Sequence, residues 1–205
     1  MVFEKGQPDF FLIVGLGNPG VQYELTRHNA GFLLVDNLSE THSILLKEKR
    51  NFPDLLFGQG KIGTKTVFLA KSLSFMNRSG LSIYRLADYY KIFPHQMIVV
   101  HDEVDLPFQS LKIKLGGGDG GHKGVRSIIN TFGTTDFLRF RMGVGRSLHG
   151  EKTADHVLSR FSSDELDLLE EFLKLGSEAI LAVLTKGQQE AMNKYNRRSV
   201  RDPEL

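Results

Sequence analysis

A chain of 205 residues is long enough for one domain with a sizeable core, so a single domain over residues 1–205 is expected. The absence of cysteine excludes disulfides, a thiol nucleophile and a thiolate metal site, and a net charge of only +2 argues against a surface that is basic throughout. The sequence shows no secretory signal and no run long enough to span a bilayer, which favours a cytoplasmic location.

The first predicted strand ends in a glycine-rich loop. Residues 11–14 are wholly apolar and stop at Gly15, which is typical of a strand buried on both faces of an α/β sheet. The loop contains three glycines, which permit close backbone approach to a ligand, and Asn18, whose amide can donate and accept. His28 lies just before an amphipathic run over 30–38. We therefore expect it at the amino end of a helix, where the dipole favours a neutral imidazole that can act as a base.

The same loop admits a second interpretation. Its glycines, at positions 15, 17 and 20, match a dinucleotide-binding fingerprint, and Asp36 lies near the distance expected for a ribose contact. A Rossmann-type oxidoreductase is therefore an alternative. Against it, residues 21–28 are polar and lack the apolar repeat of the crossover helix that such a site needs.

The next part of the chain predicts a loop, a hairpin and a helix. Residues 40–53 are polar and predict a loop, whereas residues 55–61 and 66–70 flank a glycine turn as the two strands of a hairpin. Ser74 is a candidate cap for a helix whose apolar residues recur at helical spacing before Pro94.

A second buried strand ends in charged residues. Residues 97–100 are apolar, and His101, Asp102 and Glu103 follow at the carboxyl end of the predicted strand. Polar residues at this end of a strand in an α/β sheet indicate a site. Apolar residues over 111–115 then alternate with two lysines, as in a half-buried strand.

Glycine and basic residues dominate the following segment. The glycine loop over 116–121 predicts either a flexible connection or a functional lid, and a helix over 125–132, an alternating strand over 138–142 and a polar segment over 147–153 come after it. Between residues 110 and 152, eight basic and three acidic residues give a net charge of +5. This predicts either a solvated face or a phosphate-binding footprint. The basic residues are Lys112, Lys114, Lys123, Arg126, Arg139, Arg141, Arg146 and Lys152.

The last quarter of the chain predicts helices and a basic tail. Residues 154–161 have helical spacing, and Ser162 with Glu165 forms a candidate capping box for a helix that stops near Gly187. From about residue 193 the chain is basic with few apolar residues, so a mobile tail is expected, with RNA contact as a minor alternative. Strands alternating with helices predict an α/β fold, a single-domain sandwich of a mixed, largely parallel β-sheet between helices.

Four sequence blocks resemble those of one enzyme family. They are Gly15–Gly20 followed by Tyr23 and Thr26–Gly31, then Lys71–Gly80, His101–Pro107 and Gly116–Gly124. In this order and spacing they resemble the bacterial-type peptidyl-tRNA hydrolases, and the resemblance covers nearly the whole chain.

The resemblance implies the same α/β sandwich and an activity. The reaction is hydrolysis of the ester that joins a peptide to tRNA, which recycles tRNA from stalled or dropped-off translation products. The implied partner is peptidyl-tRNA, with no cofactor, no metal, no membrane and a monomeric chain. A non-catalytic RNA-binding relative of the same fold is the alternative.

The resemblance also implies roles for individual residues. His28 is the implied general base, oriented by Asp102, and Asn18 is the implied group that binds the substrate's peptide or ester and rejects free aminoacyl-tRNA. The implied residues that bind substrate and tRNA are Tyr23, Phe75, Met76, Asn77, His122, Lys123, Lys114 and Arg141. Metal catalysis is not expected, since the histidines and carboxylates near residue 102 lack a known ligand spacing.

The chain departs from the family pattern at four positions. Ser72, Phe75 and Gln109 stand where Pro, Tyr and Gly are usual, and Lys123 stands where Asn is usual. An asparagine amide can hold a water between base and substrate, whereas an ammonium only donates. The sequence leaves two outcomes open for Lys123. Either the ammonium enters the site, where it favours neutral His28 and a developing oxyanion, or it points to solvent as a phosphate contact.

Overall fold

Seven strands form one mixed sheet within the described residues, 10–147 and 152–196, of this computed structural model. The strands are β1 (Phe10–Gly15), β2 (Lys47–Lys49), β3 (Phe52–Ile62), β4 (Lys65–Ser72), β5 (Met97–Glu103), β6 (Leu111–Leu115) and β7 (Leu138–Gly143). Their order across the sheet is β2-β3-β4-β1-β5-β7-β6. β4, β1, β5 and β7 in the middle run parallel, whereas β2, β3 and β6 pair antiparallel. The predicted mixed α/β sheet is confirmed, with parallel pairing confined to its centre.

The apolar runs form the central strands because these strands are covered on both faces. In β1, Ile13 packs into the apolar cluster on one side of the sheet, and Leu12 and Val14 pack into the cluster on the other side. A strand buried on both faces needs no polar alternation. In the edge strand β6, by contrast, Leu111 and Ile113 are buried and the two lysines are exposed, so the sequence alternates.

Helices cover both faces of the sheet, as the sandwich prediction requires. Among the described residues the α-helices are α1 (Ala30–Thr41), α2 (Ser79–Tyr90), α3 (Lys123–Phe132), α4 (Thr153–Leu158), α5 (Ser163–Asp167), α6 (Leu169–Lys186) and α7 (Gln188–Tyr195). α1 and α6 pack on the face of Ile13, and α2 and α3 pack on the opposite face. In this part of the chain no helix is both long and apolar enough to cross a membrane.

Three elements differ from the predictions. Residues 47–49, expected in a loop, form β2, an edge strand of three exposed charged residues in which no apolar alternation could signal a strand. Ser74 caps no helix, because a 3-10 turn at Met76–Arg78 intervenes and α2 follows directly from it. The long carboxyl-terminal helix is divided between α5 and α6 at Leu168, whose N–H bonds to a carbonyl only three residues back.

Residues 193–196, which the sequence assigns to a mobile tail, belong to α7 and the turn after it. Ala191 and Tyr195, four residues apart on α7, are both buried, so an apolar stripe continues the helix past residue 193. The amide of Asn196 then pairs with both backbone groups of Ile113, accepting from its N–H at 2.6 Å and donating to its carbonyl at 3.0 Å. The rest of the predicted tail, from residue 197, and residues 148–151 of the predicted polar segment lie outside the described residues.

Helix α1 approaches the sheet closely at two glycines. A Cβ atom on Gly31 would lie 2.4 Å from the carbonyl oxygen of Val100 and 2.6 Å from both backbone N and O of Leu16. A Cβ atom on Gly15 would lie 2.4 Å from the carbonyl oxygen of Gly31. Without these side chains the helix backbone can lie directly on β1 and β5. The turn that precedes α1 and carries His28 is thereby held against the end of β5.

We expect Gly31→Ala to lower the free energy of unfolding by about 1 to 2 kcal/mol. Overpacking typically costs about 1–3 kcal/mol, and the 2.4 Å approach to a backbone oxygen places Gly31 in the upper part of that range, above the roughly 1 kcal/mol by which alanine is favoured over glycine inside a helix. Gly118→Ala is the matched control, because a Cβ atom there meets no atom within 4 Å. Urea unfolding measures both variants, and equal stabilities would contradict the close packing.

Candidate active site

His28 and Asp102 form a hydrogen-bonded pair at the carboxyl end of the central strands. His28 lies in a 3-10 turn, Arg27–Asn29, directly before α1, and Asp102 lies near the end of β5. The His28 Nδ1 atom is 2.8 Å from the Asp102 Oδ1 atom, and Asp102 is only 3% exposed. A carboxylate accepts this hydrogen bond, so the ring donates through Nδ1–H and its lone pair is on Nε2. The structure thus brings together the two residues predicted as base and orienting group.

Asp102 has a second histidine partner, which sequence reasoning assigned elsewhere. The His122 Nε2 atom is also 2.8 Å from Asp102 Oδ1. Burial raises the pKa of Asp102, but electrostatic attraction to the His122 and His28 N–H groups and the hydrogen bonds from them outweigh burial and hold that pKa well below its ordinary range. Asp102 is therefore an anion throughout the neutral and mildly acidic range.

The other ring nitrogen of His122 caps α3. Its Nδ1 atom accepts hydrogen bonds from the N–H groups of Gly124 and Val125, each at 3.2 Å. Both nitrogens are therefore engaged by protein groups. No ring nitrogen of His122 is free in this geometry, so the prediction that His122 binds substrate has no support from it.

The cluster of His28, Asp102 and His122 has the spacing of a metal site. Its candidate ligand atoms lie within 4.8 Å of one another. However, the Nδ1 lone pair of His122 accepts two backbone N–H groups, so the proton of the neutral ring is on Nε2. Ligation through Nε2 would move this proton to Nδ1 and break the helix cap. The hydrogen bonding of the cluster thus fits proton transfer better than a metal ion.

Asn18 is held in place by Asn29, which sequence reasoning missed. The Asn29 side chain accepts from the backbone N–H of Asn18 at 2.8 Å and donates to its carbonyl at 3.0 Å. The Oδ1 atom of Asn18 in turn accepts from the N–H of Met76 at 2.9 Å. This contact fixes the orientation of the amide and leaves Nδ2 as its donor for a substrate. The signal available in the sequence was the position of Asn29 directly after His28 in the first of the four blocks.

The predicted substrate-binding residues around this amide differ in exposure. Met76 is buried and lies against Gly124, where a Cβ atom would be 2.4 Å from the methionine sulfur. Phe75 is 58% exposed and presents its ring to solvent. Asn77 is exposed and Tyr23 is partly exposed. Within the described residues neither of these two side chains has a hydrogen-bond partner, so both are available to a ligand.

Arg27 anchors the turn that contains His28. Its guanidinium donates to the Ser159 hydroxyl and the Arg160 carbonyl, each at 2.6 Å, and to the Glu165 carboxylate at 2.5 Å. It also lies over the ring of Phe161, 5.6 Å from the centroid. These partners follow α4, more than 130 residues away in the chain, so no local pattern could indicate them.

The predicted phosphate-binding residues lie on one face of β6 and β7. Lys112 is opposite Arg141, and Lys114 is opposite Arg139. Lys112 and Lys114 are exposed, whereas Arg141 forms an ion pair with Glu103, with Nη2 2.7 Å from Oε2. Of the two predicted contacts, Lys114 is the one whose charge has no ion-pair partner among the described residues.

Arg139 is one of the eight basic residues counted between 110 and 152, but its charge is not available on the surface. It is 4% exposed, and it donates to the carbonyl groups of Gly116, Gly117 and Gly118. Burial and the charge of Arg141 lower its pKa. Arg139 thus anchors the glycine loop from inside and does not belong to a phosphate-binding footprint.

Lys123 is the first residue of α3 and is exposed. Among residues 10–147 and 152–196 its ammonium has no hydrogen-bond or ion-pair partner. It approaches neither His28 nor Asp102 as a bonding partner, so the geometry gives no support to an ammonium inside the site. The solvent-facing outcome is the one that the structure favours.

Two other locations do not fit the predicted chemistry. Asp36, proposed as a ribose contact, is 2.5 Å from the Lys71 ammonium, and residues 21–29 contain 3-10 turns where a Rossmann site needs its crossover helix. The dinucleotide interpretation is therefore wrong. A groove of about 610 Å³ between α1 and α6 contains none of the predicted site residues. Its charged lining residues include Asp167, Glu170, Glu171, Lys174 and Glu178.

Comparison with known proteins points to one family. A family model described as peptidyl-tRNA hydrolase matches residues 12–203. The peptidyl-tRNA hydrolase of Carboxydothermus hydrogenoformans is 43% identical over 187 residues, which cover 91% of this chain and 98% of that protein. That of Desulfitobacterium hafniense is 45% identical over 186 residues, covering 91% and 99%. The crystal structure of peptidyl-tRNA hydrolase from Acinetobacter baumannii matches with a TM-score of 0.86 at 36% identity, covering 96% of this chain and 99% of that one.

Beside the cluster, His101 is buried and predicts a pH dependence of stability. Burial lowers its pKa to about 3, and its Nδ1–H donates to the Asp102 carbonyl at 2.7 Å. The unfolded chain takes up a proton on this residue near pH 6.5, whereas the folded chain does not. Stability is therefore lost as the pH falls from about 6.5 towards about 3, with a slope approaching ~1.4 kcal/mol per pH unit.

We expect His101→Asn to make stability depend less on pH between pH 6.5 and 5, because the asparagine amide does not titrate. The decrease in slope should correspond to at most one bound proton. Urea unfolding at several pH values gives the slope. His95→Asn is the control, because His95 is exposed. An unchanged slope in His101→Asn would show that His101 is not held neutral.

Proposed function

The chain belongs to the peptidyl-tRNA hydrolase family, and we propose that it cleaves peptidyl-tRNA as a carboxylic ester hydrolase, with His28 as the general base. The observation that carries this proposal is the 2.8 Å hydrogen bond between His28 Nδ1 and Asp102 Oδ1. It directs the His28 Nε2 lone pair away from the carboxylate. A base must present a lone pair to the proton that it abstracts, and Nε2 meets that requirement.

The reaction then proceeds by attack of water on the ester carbonyl. Nε2 of His28 takes a proton from the water as its oxygen bonds to the carbonyl carbon, and Asp102 stabilises the imidazolium that forms. When the tetrahedral intermediate collapses, the bond to the ribose oxygen breaks and the imidazolium returns the proton to that oxygen. The products are a peptide with a free carboxyl group and tRNA with a free hydroxyl.

Asn18 binds the peptide part of the substrate in this proposal. Its Oδ1 is occupied by the Met76 N–H, so Nδ2 donates to a substrate carbonyl. A buried amide donor that loses its acceptor is left unpaired, which penalises a substrate that lacks the peptide unit. Free aminoacyl-tRNA lacks this unit, and Asn18 therefore favours the peptidyl form. Phe75, Tyr23 and Asn77 supply exposed contact surface beside this donor.

Lys114, Arg141 and Lys123 contribute positive charge for the tRNA backbone. Phosphate contacts provide affinity and orientation without reading sequence, which suits an enzyme that accepts many tRNAs. A cytoplasmic location follows from the substrate, which is a product of translation, and the role is recycling of tRNA. One chain supplies every residue of the site, so the monomer is the proposed active unit. The complete His28–Asp102 pair also argues against the alternative of a non-catalytic RNA-binding relative.

The function is tested with two substrates and one variant. We expect the protein to release N-acetyl-amino acid from N-acetyl-aminoacyl-tRNA and to leave free aminoacyl-tRNA intact. His28→Ala should lower turnover by roughly 10²- to 10⁴-fold, the usual loss on removal of a general base, with tRNA affinity near that of wild type. His42→Ala is the matched control, since His42 lies at the far end of α1. Binding of tRNA with no ester release by wild type would support the RNA-binding alternative.

The phosphate contacts predict a difference between two basic residues. Lys114→Ala should raise KM and reduce the slope of log KM against log salt by roughly 0.7–0.9, the value for one phosphate contact. Arg141→Ala should change this slope less, because its guanidinium is shared with Glu103. Lys174→Ala, an exposed lysine of α6 on the other face of the sheet, is the control. If Lys114→Ala leaves the slope unchanged, β6 does not contact phosphate.

A further inference from the structure

We propose that His122 is a positioning residue for the hydrolysis, a fixed neutral donor to Asp102 that lowers the proton affinity of His28. Its other nitrogen, Nδ1, caps the amino end of α3, so the same side chain contacts both Asp102 and this helix. This inference rests on the proposed role of His28 as the base. It makes His122 a third member of the proton-transfer group without any contact to the reacting atoms.

The first step of the argument is the tautomer of His122. Its Nδ1 atom accepts the N–H groups of Gly124 and Val125, each at 3.2 Å. A proton on Nδ1 would face two N–H donors, so neither the Nδ1–H tautomer nor the doubly protonated ring fits this position. The positive end of the α3 dipole further disfavours an imidazolium there. His122 is therefore held as the neutral Nε2–H form.

The second step is the oxygen that the two histidines share. His28 Nδ1 and His122 Nε2 each lie 2.8 Å from the same atom, Oδ1 of Asp102. The Nε2–H dipole of His122 points its positive end at this oxygen and offsets part of its negative charge. A proton added to His28 consequently gains less from Asp102 than it would from a carboxylate with one donor. The ring centroids of His28 and His122 are only 5.0 Å apart. Because His122 is neutral, its effect on His28 comes from the shared Asp102 oxygen and not from a second positive charge.

The third step is what fixes His122 itself. Its own N–H donates to the Asp119 carbonyl at 3.0 Å, and the Asp119 carboxylate accepts from the Gly121 N–H at 2.7 Å. On the other side, Gly124 brings the start of α3 against Met76. The ring is thus set by backbone contacts on both sides, and its donor direction towards Asp102 does not depend on substrate.

The direction of the effect follows from these contacts. A base with a lower proton affinity remains unprotonated, and so active, at lower pH. Loss of the His122 donor would leave Asp102 more negative towards His28, and Asp102 would then stabilise the imidazolium form of His28 more strongly. The acidic limb of the pH profile of kcat/KM would then move to higher pH.

The test uses a variant that separates the helix cap from the donor to Asp102. Asparagine is among the best N-cap residues, so His122→Asn keeps a cap on α3, while its shorter side chain cannot reach Asp102. We expect a melting temperature near that of wild type. We also expect the His28 titration, followed by NMR of its ring, and the acidic limb of kcat/KM to move upward by roughly half a unit to one unit. This is less than the ~1–3 units that a full neighbouring charge produces.

A second variant and a direct observation complete the test. His122→Ala removes the cap as well, so it should show the same upward shift together with a lower melting temperature. The ¹⁵N shifts of the wild-type His122 ring should report the Nε2–H tautomer from pH 5 to 8. An Nδ1–H tautomer or a protonated ring in this range would overturn the proposal.

The outcome is distinguishable from failure of the proposed function. If His28→Ala is inactive but His122→Asn shifts neither the NMR titration nor the acidic limb, or shifts them downward, the role of His122 is overturned and that of His28 stands. If His28→Ala retains most of its turnover, the assignment of the base fails. The NMR titration of His28 still reports the His122 effect in that case, because it does not depend on activity.

Discussion

A carboxylate that is 3% exposed, such as Asp102, is stable as an anion only where donors replace the water that it has lost. Among the residues that the structure describes, its side-chain donors are His28, from the turn before α1, and His122, from the turn before α3. The two helices pack on opposite faces of the sheet. The charge at the end of β5 therefore requires both helix starts to converge on one strand end, and the arrangement of the site depends on this requirement.

Close approach of backbones makes that convergence possible. Gly15 and Gly31 let α1 lie directly on β1 and β5, and Gly124 lets the first turn of α3 lie on Met76. Met76 is held in turn by the Asn18 amide. The glycines that resemble a dinucleotide fingerprint thus serve helix–sheet contact and loop geometry rather than a pyrophosphate. A match to a glycine pattern does not decide between these uses, because both need a missing Cβ atom.

The fold was largely predictable because its signals are local. The apolar runs of β1 and β5 and the alternation in β6 follow from which faces are buried, and they fix the α/β class. The convergence of His28, Asp102 and Asn18 came only from the family resemblance, since spacing along the chain cannot show it. Asn29, the ion pair of Arg27 with Glu165, and the contact of His122 with Asp102 were missed. Each is a side-chain contact between polar residues, and such contacts leave no periodic pattern in the sequence.

The charges that face solvent differ from those that the composition suggests. In the segment from 110 to 152, Arg139 is buried in the glycine loop, and Arg141, Arg126 and Arg146 are paired with Glu103, Asp119 and Asp105. Lys112, Lys114 and Lys123 are exposed and have no ion-pair partner in the described part of the chain. A lysine at the first position of α3 opposes the helix dipole, at a cost of roughly 0.3–1 kcal/mol. The same placement adds its charge to the positive end of the helix. Under the proposed function this sum favours the tRNA backbone, and we propose that Lys123 attracts this polyanion at some cost in helix stability.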